Sequence, residues 1–159
     1  MSEDFTHLNH AGQVHMVSVG HKEETSRLAV AEGYLVGSPE ILAKVAEGKT
    51  PKGDILAVAR VAAIMAAKRT SEWIPLCHPI PLTAVTIEIF HEHDRLRIQA
   101  TTRTRAVTGV EMEALTAVSA GLLTMYDMLK GMDRTLTMTD IRLLQKSGGA
   151  SGNFKREVR

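Results

Sequence analysis

The order of elements written in this sequence predicts an α+β domain, an antiparallel sheet covered on one face by helices in the ferredoxin-like arrangement. Three observations lead there. Residues 85–89 and 96–100 alternate apolar with polar on either side of Glu92-His93-Asp94, which reads as a hairpin. Residues 108–132, TGVEMEALTAVSAGLLTMYDMLKGM, repeat apolar positions at helical intervals. A strand and two helices precede the hairpin, and one more strand follows the long helix. At 159 residues the chain is expected to be a single domain, 1–159, with a polar arm at 1–25 and a glycine-rich tail at 147–159.

The arm carries His7, His10, His15 and His21, but their spacing fits no common zinc pattern and no cysteine lies nearby. It is expected to be exposed or to lie at an interface. RLAVAEGYLV at 27–36 is apolar and partly β-branched, and predicts a strand. Ser38-Pro39-Glu40 supplies an N-cap and a proline for the first helical position, and Gly48 closes that helix. After the break at 51–54, ILAVARVAAIMAAKR predicts a buried, alanine-rich helix in which Arg60, the one interior charge, is either a satisfied structural ion, the preferred reading, or points at an anion. Lys68 and Arg69 fall at its C-terminus, where cations offset the helix dipole.

Three prolines, Pro75, Pro79 and Pro81, bracket Leu76-Cys77-His78 and predict an extended, rigid path over 70–83. A stiff loop holding one imidazole suits a positioned acid, base or anion donor, and equally a histidine satisfied within its loop. Cys77 reads as a packed hydrophobe, because nothing beside it argues for a lowered thiol pKa. His91 and His93 are expected to be solvated at the hairpin end. Thr108 and Glu111 have capping-box spacing, and Gly131 is placed to end a helix of about 22 residues, about 33 Å long. A strand follows at 136–144. The tail that starts at Lys146-Ser147-Gly148-Gly149 either offers backbone N–H groups to an anion or is simply mobile.

The long helix keeps its charges, Glu111, Glu113, Asp127 and Lys130, near its ends. Glu113 and Asp127 lie fourteen positions apart, on nearly one face but separated by about 21 Å. Two antiparallel copies, packed across the small residues near Ala120, would bring Glu113 of one beside Asp127 of the other. That predicts a two-fold interface with paired sites. The alternative is that the glutamates only favour the positive helix end while Asp127 and Lys130 form a surface pair.

Composition excludes several classes. Nineteen basic and 18 acidic residues give a net charge of +1, far from a nucleic-acid-coating protein. One cysteine forbids an internal disulfide and fits a reducing compartment. No apolar run reaches membrane-spanning length, and the start is not a secretory signal, so a soluble cytoplasmic protein is expected. Aromatics at 4% make base-stacking platforms improbable.

In order, THLNHAGQVHMV, KGDILAVARVAAIMAAKRTSEWIPLCHPIPLT, TGVEMEALTAVSAGLLTMYDMLK and IRLLQKSGG cover most of the chain and closely resemble the cyclic pyranopterin monophosphate synthase family, the C proteins of molybdenum cofactor biosynthesis. The resemblance implies a lyase that converts 3′,8-cyclo-7,8-dihydroguanosine 5′-triphosphate to cyclic pyranopterin monophosphate and releases pyrophosphate. It also implies a ferredoxin-like subunit, a hexamer built as a trimer of dimers, and sites at the dimer interface. Through the matching motifs, the family's aspartate acid/base falls on Asp127, its companion lysine on Lys130 and the lysine of KGD on Lys52. Substrate contacts fall on Leu76, Cys77 and His78, on Glu111, Met112 and Glu113, and on Lys68 and Lys146, with Arg69 beside them. Two departures stand out: Ser18 where an aspartate is usual, and Ala150 where a second lysine is common.

Such a substrate carries roughly four negative charges, which calls for clustered cations and N–H donors. No metal site or cofactor is expected, and a Mg²⁺ travelling with the triphosphate is compatible with the sequence. Two rivals remain at this stage: a ligand-sensing module with the same fold, and a metal-dependent hydrolase built on the arm histidines.

Overall fold

The computed structural model describes residues 7–9 and 11–157; His10 of the arm lies outside the described residues. The elements run β1 (Thr25–Val36), α1 (Pro39–Ala46), α2 (Ile55–Ala67), α3 (Thr70–Trp73), β2 (Leu82–Glu92), β3 (Arg95–Ala106), α4 (Glu111–Leu129), β4 (Thr137–Ser147) and β5 (Phe154–Lys155). The sheet order is β2-β3-β1-β4-β5 and every pairing is antiparallel. This is the expected α+β fold with helices packed on a sheet.

Local chemistry explains the helix starts. Ser38 accepts from the Ile41 N–H at the head of α1, and Asp54 accepts from the Ala57 N–H at the head of α2. The two-residue turn at His93-Asp94 joins β2 to β3, with Val85, Ile87 and Ile89 packed toward the helices. On α4, Val118, Leu122, Met125 and Leu129 are fully buried against the sheet. Burying side chains of that size stabilises the fold by about 1.5–3 kcal/mol each. The opposite sheet face buries Glu32, 4% exposed, which accepts from Arg142 Nη2 at 2.8 Å and Nε at 3.0 Å. A buried carboxylate persists because it is paired.

Several expectations are corrected. The capping box does not form: Val110 is the N-cap of α4 with no side-chain cap bond, and Glu111 turns instead toward Lys146. Residues 70–83 are not extended throughout, since α3 makes one helical turn and a second turn at Pro75-Leu76, closed by the Cys77 N–H on the Ile74 carbonyl, precedes the straighter stretch at Pro79 and Pro81. His91 is not simply solvated; its Nε2 lies 2.7 Å from the Leu42 carbonyl. β4 runs on to Ser147, and the tail adds β5, so it is partly a sheet element.

The largest correction concerns the helices. α2 buries Ala59 and Ala63 but exposes Val58, Val61 and Met65 on its outer face. The small residues of α4 are used within the chain: a Cβ on Gly121 would sit 2.3 Å from Ile98 Cδ1 and 3.5 Å from Ala63 Cβ. That seam seats α2 against α4 and leaves Ala120 only 6% exposed. It is therefore not a surface on which a second α4 can pack.

Candidate functional site

α4 separates the predicted residues into two groups. Its C-terminal end holds the first. Asp127 projects from the last turn, and Lys130, the C-cap residue, places Nζ 2.7 Å from Asp127 Oδ1. Lys52, from the loop before α2, donates to the Asp127 carbonyl at 3.0 Å and lies 3.8 Å from Oδ2. Lys52 thus satisfies one of the carbonyls that a helix end leaves unpaired, as it brings a second cation to the carboxylate. The hydrogen bond and charge of Lys130, helped by Lys52, hold the Asp127 carboxyl below its ordinary range. All three side chains are about half exposed.

The N-terminal end holds the second group. Leu76, Cys77, His78, Glu111, Met112 and Glu113 line one cleft of about 460 Å³. The proline-rich loop supplies one wall and the first turn of α4 the other. Glu113 is 3% exposed. Burial raises its carboxyl to about 7, opposed by a hydrogen bond from its own backbone N–H and reinforced by the charge of Glu111. Cys77 is free, and burial with the nearby Glu113 pushes its thiol up. A thiol held in its neutral form is a poor nucleophile, which fits the packed-hydrophobe reading.

Glu113 also faces a smaller cleft of about 320 Å³ that contains Lys68, Thr70 and the segment Pro79-Ile80-Pro81. Lys146 of β4 reaches within 3.6 Å of Glu111 and hydrogen-bonds Ser151. Arg69 is exposed at the N-cap of α3 and lines none of these clefts. Among the described residues no group of three His, Cys, Asp or Glu side chains is placed to hold a metal ion.

Some neighbours were not foreseen. The arm does not stand apart: His7, Val17, Val19 and Lys22 line the first cleft, and His78 Nε2 lies 2.9 Å from the Val17 carbonyl. Val17 and Val19 are half-buried while Ser18 between them is exposed, so the departure at Ser18 points away from the cleft. The alternation of Val17 and Val19 in a polar stretch was the available signal. A second cleft of about 600 Å³ adjoins the first and has Arg27, Ala150 and Ser151 on its walls. The departure at Ala150 therefore falls on a cleft wall. Gly148 and Gly149 serve mainly to bring the tail against β1. Both have positive φ, and a Cβ would lie 2.2 Å from the Ser26 carbonyl oxygen and 1.8 Å from Arg27 Nη1, respectively.

Residues 16–149 match the family model described as the MoaC family. Among curated relatives, the cyclic pyranopterin monophosphate synthase of Thermomicrobium roseum is 55% identical over 156 residues, covering 97% of this chain and 94% of that protein. The protein of the same name from Dinoroseobacter shibae is 52% identical, covering 96% and 98%. That from Corynebacterium glutamicum is 50% identical, covering 94% and 96%.

Proposed function

The chain belongs to the MoaC family, and on that premise we propose that its two clusters are the halves of one catalytic pocket. The enzyme is a lyase of molybdenum cofactor biosynthesis. It converts the cyclic dihydroguanosine triphosphate to cyclic pyranopterin monophosphate and releases pyrophosphate. The observation that carries the site assignment is the contrast at the two ends of α4: a carboxylate clamped by two lysines at one end, a buried carboxyl beside an imidazole at the other.

The chemistry asks for two things. Pyrophosphate leaves readily only if charge growing on its oxygens meets preorganised cations and donors. Lys68 lines a cleft with Glu113 and Lys146 reaches Glu111, which suits both to that purpose, and Lys52 faces the same substrate from the other half. Ring opening and reclosure also need several proton transfers. Asp127, ionised beside Lys130 and Lys52, accepts and returns protons, and Lys130, one helical turn on, is its partner. Glu113 orients the base moiety through hydrogen bonds to ring nitrogens. Leu76, Cys77 and Met112 give the pocket its apolar lining. The chain holds no metal of its own in this reading; a Mg²⁺ on the triphosphate is part of the substrate.

Within one chain the halves lie about 21 Å apart along α4. A second copy has to bring its Asp127 end to the Glu113 end of the first, so the enzyme is a homo-oligomer, assembled as a trimer of dimers. The exposed Val58, Val61 and Met65 on α2 and Leu123 on α4 supply apolar surface for such contacts. Among the described residues no helix is long and apolar enough to cross a membrane, and a biosynthetic enzyme of this kind works in the cytoplasm.

Pyrophosphate release from the cyclic triphosphate tests the activity, and Asp127→Ala should abolish it while the oligomer persists on a sizing column. Mixing inactive Asp127→Ala with inactive Glu113→Ala should restore part of the activity. No recovery in verified mixed oligomers sinks the shared pocket.

A further inference from the structure

The two neighbouring clefts, of about 460 and 600 Å³, share Lys22, Thr108, Gly109 and Glu111 on their walls, so they form one continuous groove. Its cations are few. Arg27 is already engaged, its Nε donating to the Ala106 carbonyl at 3.3 Å and its Nη2 to that of Val107 at 3.2 Å. Among the described residues Lys22 is the one ammonium on both walls, at the junction of the clefts. It comes from the arm, outside the sheet-and-helix body, so something must hold it there.

Two main-chain contacts do. The Lys22 N–H donates to the Val19 carbonyl at 3.0 Å, closing a turn over 19–22. His78 Nε2 lies 2.9 Å from the Val17 carbonyl. A carbonyl only accepts, so the proton of that bond is on Nε2, and the imidazole spans arm and loop. Val17 and Val19 turn inward on either side of Ser18 and close the groove with apolar contact.

We infer that Lys22 binds the phosphate end of the substrate, held over the groove by a main-chain latch between His78 Nε2 and the Val17 carbonyl. The substrate named here rests on the function proposed above; the placement of Lys22 does not. His78 then has two duties. Its Nε2–H fixes the arm, and its Nδ1 edge is left for the pocket.

The latch is read by two isosteres. His78→Gln keeps an N–H donor near the Nε2 position and should preserve hydrogen-exchange protection over residues 14–22. His78→Asn keeps only a group near Nδ1 and should lose it. Lys22→Ala should raise KM roughly tenfold or more while kcat stays within about twofold, because one charge-assisted contact is lost. Lys22→Arg should restore most of the affinity. In the His78→Asn background, Lys22→Ala should add little, since the ammonium is no longer delivered. Inorganic tripolyphosphate serves as an independent probe by calorimetry: Lys22→Ala should weaken its binding to the full-length protein by a similar factor. A wild-type chain that releases no pyrophosphate would remove the proposed function, and tripolyphosphate binding would still decide the role of Lys22. Unchanged KM and unchanged tripolyphosphate affinity in Lys22→Ala overturn the inference, as does equal arm protection in the Gln and Asn variants.

Discussion

Glu113→Gln is the sharpest perturbation of this molecule, because the wild-type carboxyl is 3% exposed and raised from 4.5 to about 7. The unfolded chain loses that proton near its ordinary value, whereas the folded chain keeps it until about pH 7. Between those limits the native state binds more protons, so stability falls as pH rises, and the loss is complete above the folded value. At about 1.36 kcal/mol per decade, the gap corresponds to about 3 kcal/mol. Glutamine keeps the shape and most of the hydrogen-bonding capacity but carries no charge at any pH. Relative to wild type, Glu113→Gln should therefore gain about 3 kcal/mol of stability on going from about pH 4.5 to about pH 8. Urea unfolding followed by far-UV circular dichroism reads this, at fixed protein concentration and without substrate. Groups common to both proteins cancel in the difference. Curves that keep the same separation at both pH values would mean that Glu113 ionises freely, and the buried acid at the head of α4 would be an error. A carboxyl that costs stability when charged, kept in a cleft wall, is what the proposed function asks of Glu113.

Two further outcomes follow from the same geometry. Carboxyl NMR titration of Asp127 should move upward in Lys130→Ala and less in Lys52→Ala, because the hydrogen bond and charge of Lys130 are the leading causes of its depression; equal shifts would refute that order. Gly148→Ala, at φ +91 with the Ser26 carbonyl in the way, should cost about 1–3 kcal/mol by thermal unfolding and detach the tail, whereas Gly20→Ala, with open space, should stay within about 0.5 kcal/mol.

What was legible in the chain was local. Ser38 and Gly48 marked α1 because caps act through groups three or four residues away, and the alternation at 85–100 marked the hairpin for the same reason. One failure was local, the single turn of α3 closed by the Ile74 N–H on the Thr70 carbonyl; the others were non-local. Thr108 and Glu111 had capping-box spacing, but Lys146, brought in by β4, competes for the Glu111 carboxylate. The two residues of β5 have no pattern of their own and exist only because Gln145 and Lys146 offer an edge. The arm's contribution to the groove depends on His78, sixty-one positions away from Val17. The site residues nearest α4 could be placed by helical spacing. The cations that serve them from loops could be named only through resemblance, and Arg69, named beside Lys68, falls outside the clefts.

The seam near Ala120 also shapes the Asp127 end of α4. Gly121 and its neighbours let α2 approach closely, and that approach carries the loop with Lys52 onto the last carbonyls of α4. Had the seam faced a second subunit, Lys52 would have had no route to Asp127. Close packing inside the chain thus builds the cluster of Lys52, Asp127 and Lys130, with its carboxyl held below the ordinary range. The other end is buried enough to keep Glu113 protonated up to about pH 7. In the proposed function these opposite environments suit Asp127 to proton transfer and Glu113 to hydrogen bonding the base moiety. A helix of this length keeps them about 21 Å apart in each chain, so the proposed shared pocket requires a second copy approaching through the outer faces of α2 and α4. Charged substitutions at Val61 and Leu123 on those faces should therefore lower activity in proportion to the loss of oligomer on a sizing column, while each subunit stays folded.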